Sequence, residues 1–173
     1  NAPNLILEFF LLKYTPNCNL IWSKVLSSTP DSGGGYPSDI SIDQQGKLYV
    51  CGAFTDSLYF GKSKLYTSND YAQMAVVKLD SNGNPFWGIQ SKMLDTSVEW
   101  NSYSVNADAK GNIYLAGGQP LYSQWIHDVK LKIGKDTFSC KNADDACILV
   151  KLDSSGKTLC GSIIASGGDD YAG

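Results

Sequence analysis

Hydrophobic and polar positions alternate along short runs of this chain, and turn-forming residues separate the runs. AVVKL (75–79) and ILVKL (148–152) are apolar runs of strand length, and DSNGN and DSSGK follow them. In such turns an Asp accepts backbone N–H groups and a Gly supplies a positive φ. The same chemistry recurs in DQQGK before LYVCG and in DAKGN before IYLAG. No stretch has a sustained 3.6-residue apolar period, so the pattern predicts an all-β protein.

These runs belong to a longer internal repeat. The copies align on three lysines, which are 65 and then 73 residues apart. Nine positions after each lysine comes an aromatic residue or a cysteine: Lys13 with Trp22, Lys78 with Trp87, and Lys151 with Cys160. The pattern predicts repeat units at about 5–73, 74–146 and 147–173, the last incomplete. The longer second spacing places an insertion before Leu131, and insertions in repeat proteins belong in surface loops.

A repeat unit of this size cannot bury its apolar face alone, so neighbouring units must cover it. Propellers close with four to eight blades. Two full units and part of a third therefore predict β-propeller blades in a single partial domain, 1–173, cut from a larger propeller. Two alternatives stay open, namely a ring completed by partner chains and a self-contained β-sandwich. The first copy has Thr15 and Cys18 where later copies have Asp and Gly, so we expect its turn to differ.

Together these residues resemble a known repeat family. The segment VVKLDSNGN with Trp87, the block from Asp108 to Gly117 and the Phe60-Gly61 hairpin resemble the SBBP repeat, named for a presumed seven-bladed propeller. The resemblance recurs at 148–156 and 167–173. It implies one blade per unit and a secreted or cell-surface protein of Bacteroidetes-type bacteria, often delivered by type IX secretion. It also implies a scaffold or recognition platform rather than an enzyme.

The charge and hydrophobicity of the chain argue against some classes of partner. The net charge is −3 and the lysines are scattered, so nucleic acid, which requires a basic stripe, is not expected as a partner. The longest apolar run, from Leu5 to Leu12, is interrupted by Glu8 and is too short to span a membrane. The chain lacks an initiator Met and a signal peptide, which suggests a mature or trimmed piece. We expect an extracellular or bacterial cell-surface location.

The sequence contains few residues in arrangements that are typical of a catalytic site. The Asp turns resemble part of a calcium loop but lack its twelve-residue spacing and terminal Glu. Paired acids occur at 144–145 and 169–170, and neighbouring carboxylates can do acid–base chemistry. The segment GGDDYAG (167–173) resembles a connecting element of the repeat family, which favours hydrogen bonding of a turn instead. His127 has no accompanying nucleophile motif. The sequence therefore predicts no enzyme, no cofactor and no metal site.

Cys140 and Cys147 could form a disulfide in an oxidising compartment. Cys160, at a core position of the repeat, and Cys51, within a strand, are expected to be buried free thiols.

Aromatic residues outside the repeat register point to a contact surface. Exposed Trp and Tyr side chains stack on sugars and anchor protein interfaces. The candidate contact residues are Trp100 and three residues of the insertion: Tyr122, Trp125 and His127. Tyr36 and Tyr103 also lie out of register, and Trp125 could instead pack on its own sheet.

These features predict a non-enzymatic extracellular scaffold or recognition module that presents propeller loops to a protein or glycan partner. One alternative is a structural subunit of a bacterial secretion, motility or adhesion assembly. Another is a propeller lectin or polysaccharide-active enzyme. A lectin would require some of the candidate aromatic rings to be exposed.

Overall fold

The computed structural model describes residues 9–28, 34–67, 71–94, 99–119, 127–143 and 145–166. These ranges contain fourteen strands and no helix, which confirms the all-β prediction. The strands are β1 (Phe9–Tyr14), β2 (Leu20–Ser28), β3 (Gly35–Ile42), β4 (Leu48–Phe54), β5 (Ser57–Phe60), β6 (Ser63–Tyr66), β7 (Gln73–Leu79), β8 (Pro85–Met93), β9 (Asn101–Ala107), β10 (Ile113–Gly118), β11 (His127–Ile133), β12 (Asp136–Ala143), β13 (Asp145–Leu152) and β14 (Thr158–Ser166). The described part of the chain has no helix that could cross a membrane.

The strands form three antiparallel sheets. The first sheet has the order β1-β2-β5-β6, and the third sheet has the order β14-β13-β10-β9. The second sheet has six strands in the order β12-β11-β8-β7-β4-β3. The nearly identical segments 75–79 and 148–152 thus lie on β7 and β13, which occupy equivalent positions in the second and third sheets.

Hairpins cross from one sheet to the preceding one. The hairpin β5–β6 follows β4 of the second sheet but pairs with β2 of the first, where Ser27 lies opposite Tyr59. Likewise β11–β12 follows β10 of the third sheet and pairs with β8 of the second, where Leu131 lies opposite Met93. Neighbouring sheets are therefore joined by these two hairpins, which we call the exchanged hairpins, as well as by face-to-face packing.

The second sheet is the middle layer, with apolar packing on both faces. One face of β4 and β7 packs against the first sheet, and this cluster consists of Leu26, Leu48, Val50, Phe54, Leu58, Phe60, Ala75, Val77 and Leu79. The other face packs against the third sheet in a larger cluster that includes Tyr49, Cys51, Met74, Val76, Trp100, Val105, Ile113, Leu115, Ile148, Val150 and Leu152. Every residue of β4 is buried because both of its faces are covered.

The four Asp turns share one hydrogen-bond pattern, as predicted. In each, the Asp Oδ1 accepts the N–H groups two and four residues later, and the Gly that follows at the third position has a φ between 74° and 87°: Asp43, Asp80, Asp108 and Asp153. These carboxylates are thus occupied by their own backbone, which is ordinary turn chemistry.

The turn of the first copy keeps this geometry with different residues. The Thr15 hydroxyl accepts the N–H of Asn19 at 3.0 Å, and the N–H of Cys18 donates to the carbonyl of Thr15 at 3.0 Å. Cys18 takes the left-handed conformation, with φ 58°. This turn therefore differs from the others in its side chains, since a hydroxyl replaces the carboxylate as acceptor, and keeps the same backbone hydrogen bonds.

Candidate functional site

The repeated lysine and tryptophan form a contact between sheets, which we call the Lys–Trp clamp. Lys78 Nζ and Trp87 Nε1 both donate to the carbonyl oxygen of Ser154, at 2.8 Å and 3.3 Å. Ser154 lies in the Asp turn of the third sheet. The equivalent clamp between the first and second sheets joins Lys13 and Trp22 to Ser81, at 2.8 Å and 3.2 Å. The strongest repeat signal in the sequence is thus explained by sheet packing and not by ligand binding.

A different feature recurs in β3 and β9, where each strand contains a β-bulge. In β3, Pro37 lies opposite Gly52 and Asp39 opposite Cys51, which leaves Ser38 as the extra residue. A Cβ on Gly52 would lie 2.2 Å from the carbonyl oxygen of Tyr36, so only glycine allows this close approach. Bulges redirect side chains and are common next to functional sites.

The bulge in β9 is equivalent. Ser102 lies opposite Gly117 and Ser104 opposite Ala116, so Tyr103 is the extra residue. A Cβ on Gly117 would lie 2.5 Å from the carbonyl oxygen of Asn101. The spacing of 65 residues between the two glycines in the repeat therefore reflects two matching bulges in neighbouring sheets.

Two side chains fix β9 to the second sheet beside the bulges. Asp39 Oδ2 accepts the Ser104 hydroxyl at 2.8 Å and the N–H of Val105 at 3.0 Å. The hydrogen bond from Val105, followed by that from Ser104, lowers the pKa of the Asp39 carboxyl. The buried Ser102 hydroxyl donates to the carbonyl of Gly52 at 2.9 Å. The relative position of the two bulges is therefore set by polar contacts between the sheets.

A cleft of about 430 Å³ opens beside these bulges, at one end of the second and third sheets. Its lining residues are Tyr36, Ser38, Ala53, Thr55, Ala72, Glu99, Asn101 and Tyr103. Tyr36 is 55% exposed and Tyr103 is 49% exposed. The Tyr103 hydroxyl donates to the carbonyl of Gln119 at 3.2 Å, which restrains this ring. The cleft thus combines two accessible aromatic rings with hydroxyl, amide and carboxylate groups, and its volume lies within the range of small-ligand sites.

Of the predicted contact residues, only Trp100 has a described side chain, and it does not line this cleft. Trp100 has no solvent exposure and packs in the core between the second and third sheets, while its backbone N–H donates to the carbonyl of Ala72 at 2.9 Å. The expectation that Trp100 is exposed is therefore wrong. Tyr122 and Trp125 lie outside the described residues. His127 begins β11 opposite Ala143, and the structure describes nothing of its side chain.

The cysteines also differ from expectation. Cys140 lies in β12 of the second sheet and Cys147 in β13 of the third, and both are free thiols. The two cysteines of the possible disulfide therefore lie on strands of different sheets, because the hairpin that carries Cys140 extends the preceding sheet. Cys160, expected in a core position, is exposed. Cys51 is buried as expected, and loss of solvent raises the pKa of its thiol to about 12.

Comparison of the chain with protein-family models gives no match, and comparison with curated proteins finds no relative. Within the described residues, no three His, Cys, Asp or Glu side chains are grouped to hold a metal ion. Sequence reasoning noted Tyr36 and Tyr103 as out-of-register aromatics but missed their polar neighbours in the cleft. A signal for the bulges was present, since an isolated glycine within a strand pattern often marks one.

Proposed function

We propose that this chain is part of a propeller-like repeat array that acts, outside the cell or at its surface, as a non-enzymatic scaffold and recognition module. The observation that carries the proposal is the cleft beside the two bulges. The scaffold holds the cleft in place through the Lys–Trp clamp and the exchanged hairpins, and the cleft offers the partner two aromatic rings.

The propeller part of the proposal is supported by topology and by resemblance. The first four strands of the second sheet, β3-β4-β7-β8, have the same order as the four strands of the third sheet, β9-β10-β13-β14, and equivalent clamps join each sheet to the next. This serial stacking is typical of blades in a β-propeller. The resemblance to SBBP repeats points in the same direction and favours secretion or surface display.

Recognition is favoured over catalysis by the chemistry of the lining. Glu99 is the only carboxylate among the described residues that line the cleft, and these residues include no His, Lys or Cys. General acid–base hydrolysis commonly uses a pair of carboxylates or a histidine beside a nucleophile. A single exposed carboxylate among hydroxyls and tyrosines is suited to hydrogen bonding with a partner.

An array that carries both peptides and glycans tests this proposal. We expect the labelled protein to bind at least one probe, and binding to fall in Tyr36→Ala and Tyr103→Ala. Tyr66→Ala is the matched control, since Tyr66 is 56% exposed and lies on β6 outside the cleft. Absence of any bound probe, or equal loss in the control, would contradict a recognition role for the cleft.

A structural subunit of an assembly is the second candidate, because two sheet faces expose apolar residues. Phe10 and Ile164 are 66% and 70% exposed. Phe10 stands at the repeat position of Ile148, which is buried against the second sheet. A neighbouring β-sheet that covers these faces would explain why their apolar residues are exposed.

Light scattering tests this candidate. The protein should associate in fixed stoichiometry, and Phe10→Asp should reduce association. A monomer at all concentrations would contradict it.

A further inference from the structure

We infer that the ligand of the cleft is an uncharged carbohydrate, with a sugar ring stacked on Tyr36 and Tyr103 and its hydroxyls bonded to Ser38, Thr55 and Asn101. This inference rests on the proposed function of the cleft as a recognition site. It goes further by naming the class of ligand and the contacts that select it.

The two tyrosines supply the stacking surfaces. The C–H groups on one face of a pyranose ring carry partial positive charge, and the face of an aromatic ring is negative. Tyr36, from β3, and Tyr103, from the bulge of β9, both line the cleft, and about half of each side chain is exposed.

The polar lining matches sugar hydroxyls, each of which both donates and accepts hydrogen bonds. The Thr55 Oγ1 accepts the N–H of Gly34 at 2.9 Å, so its hydroxyl hydrogen is left for a ligand. Ser38 adds a second hydroxyl and Asn101 an amide with donors and an acceptor. Glu99 accepts hydrogen bonds and repels anions. A polyanionic ligand is disfavoured for this reason, and also by the net charge of −3.

Hydrogen bonds restrain the cleft, and this restraint favours binding of a neutral ligand whose individual contacts are weak. Stacking and neutral hydrogen bonds each contribute little free energy, so affinity depends on how little conformational freedom the cleft loses when the ligand binds. Here the strand that carries Ser38 is tied to the strand that carries Tyr103 through Asp39, at 2.8 Å from Ser104 and 3.0 Å from Val105. The ring of Tyr103 is also held by its hydroxyl. The cleft is therefore largely formed before the ligand arrives.

Calorimetric titration with a panel of neutral gluco-, galacto- and manno-oligosaccharides tests the inference. We expect a member of the panel to bind the wild-type chain. Tyr36→Ala and Tyr103→Ala should each weaken the Kd at least about tenfold, about 1.4 kcal/mol. Tyr36→Phe keeps the ring and should bind within about twofold of wild type. Tyr66→Ala should also leave the Kd unchanged. Ser38→Trp, which fills the cleft from an exposed position, should abolish binding even if Tyr103→Ala fails to fold.

The outcomes separate this inference from the proposed function. If no oligosaccharide binds but peptides bind in a Tyr36-dependent manner, the carbohydrate assignment is overturned and the recognition role stands. If sulfated polyanions bind in preference to neutral sugars, the assignment is also overturned. Sugar binding that survives both tyrosine substitutions would place the site elsewhere and overturn the inference. If neither sugars nor peptides bind, both proposals fail.

Discussion

Removal of the Trp87 side chain should show how much the Lys–Trp clamp stabilises the protein. Trp87 and Phe86 are neighbours on β8, where a bulge leaves Phe86 without a residue opposite it on β7. Trp87 is half-buried, its ring lies 6.5 Å from that of Tyr49, and its Nε1 donates to Ser154. Phe86 is 56% exposed, with Lys47 Nζ 4.9 Å from the ring centre. The pair Trp87→Ala and Phe86→Ala therefore compares a half-buried ring that donates to Ser154 with an exposed ring at the preceding position of the same strand.

The magnitudes follow from these contacts. A fully buried aromatic residue costs about 3–5 kcal/mol when it is replaced by Ala. Because Trp87 is only half-buried, we expect Trp87→Ala to lower the free energy of unfolding by about 3 kcal/mol. Trp87→Phe keeps most of the ring and loses the hydrogen bond, so it should cost about 1 kcal/mol. Phe86→Ala loses mainly a surface cation–π contact and should cost less than about 1 kcal/mol.

Thermal unfolding followed by circular dichroism measures these differences without relying on the tryptophan signal. For a chain of this length, about 3 kcal/mol corresponds to a fall in Tm of about 6–12 °C. Urea denaturation gives the same free energies independently. If Trp87→Ala lowers the Tm no more than Phe86→Ala, the clamp does not hold the second and third sheets together, and our account of the repeat is refuted.

Four further predictions follow from individual contacts. Gly52→Ala should destabilise the protein by about 1–3 kcal/mol, because the new Cβ would lie 2.2 Å from the carbonyl oxygen of Tyr36; a Tm equal to wild type would contradict the bulge. Tyr49→Phe should cost about 1 kcal/mol in urea denaturation, since its buried hydroxyl donates to Asp43 at 2.9 Å, and an unchanged midpoint would argue against this bond. Hydrogen bonds within the turns lower the pKa of the aspartates at 80, 108 and 153. Their stabilisation is present at neutral pH, above the unfolded pKa of about 4, and is lost as pH falls through the lower folded values, so the Tm should drop in acid and a flat profile would count against it. The Cys51 thiol, with a pKa raised to about 12 by burial, should react with iodoacetamide after the exposed cysteines, as peptide mass spectrometry can measure; early labelling would show that the site opens readily.

Much of the local structure could be predicted from the sequence. The turns at Asp80 and Asp153 form as expected because an Asp, a polar residue and a glycine at fixed spacing satisfy their own backbone hydrogen bonds. The alternation of apolar residues predicted the strands that flank them, since side chains on a strand alternate between its faces. The near identity of 75–79 and 148–152 predicted equivalent places in neighbouring sheets. These properties belong to short segments, so they could be derived before any long-range contact was known.

The candidate site could not be predicted in this way. Trp100 is an out-of-register aromatic like Tyr36, yet one is buried and the other exposed, and the sequence pattern does not distinguish them. The difference depends on which sheet covers each position. The same applies to Cys160 and Trp87, which share a repeat position but differ in exposure because the third sheet covers only one of them.

The sequence by itself determined the strands, the turns and the period of the repeat, because hydrogen bonding and hydrophobic alternation act over a few residues. Only the tertiary structure decided that hairpins β5–β6 and β11–β12 extend the preceding sheets, and that the bulges of β3 and β9 meet beside one cleft. Strand pairing and sheet packing join residues far apart in the chain, such as Asp39 and Val105, and their geometry depends on the whole arrangement of sheets.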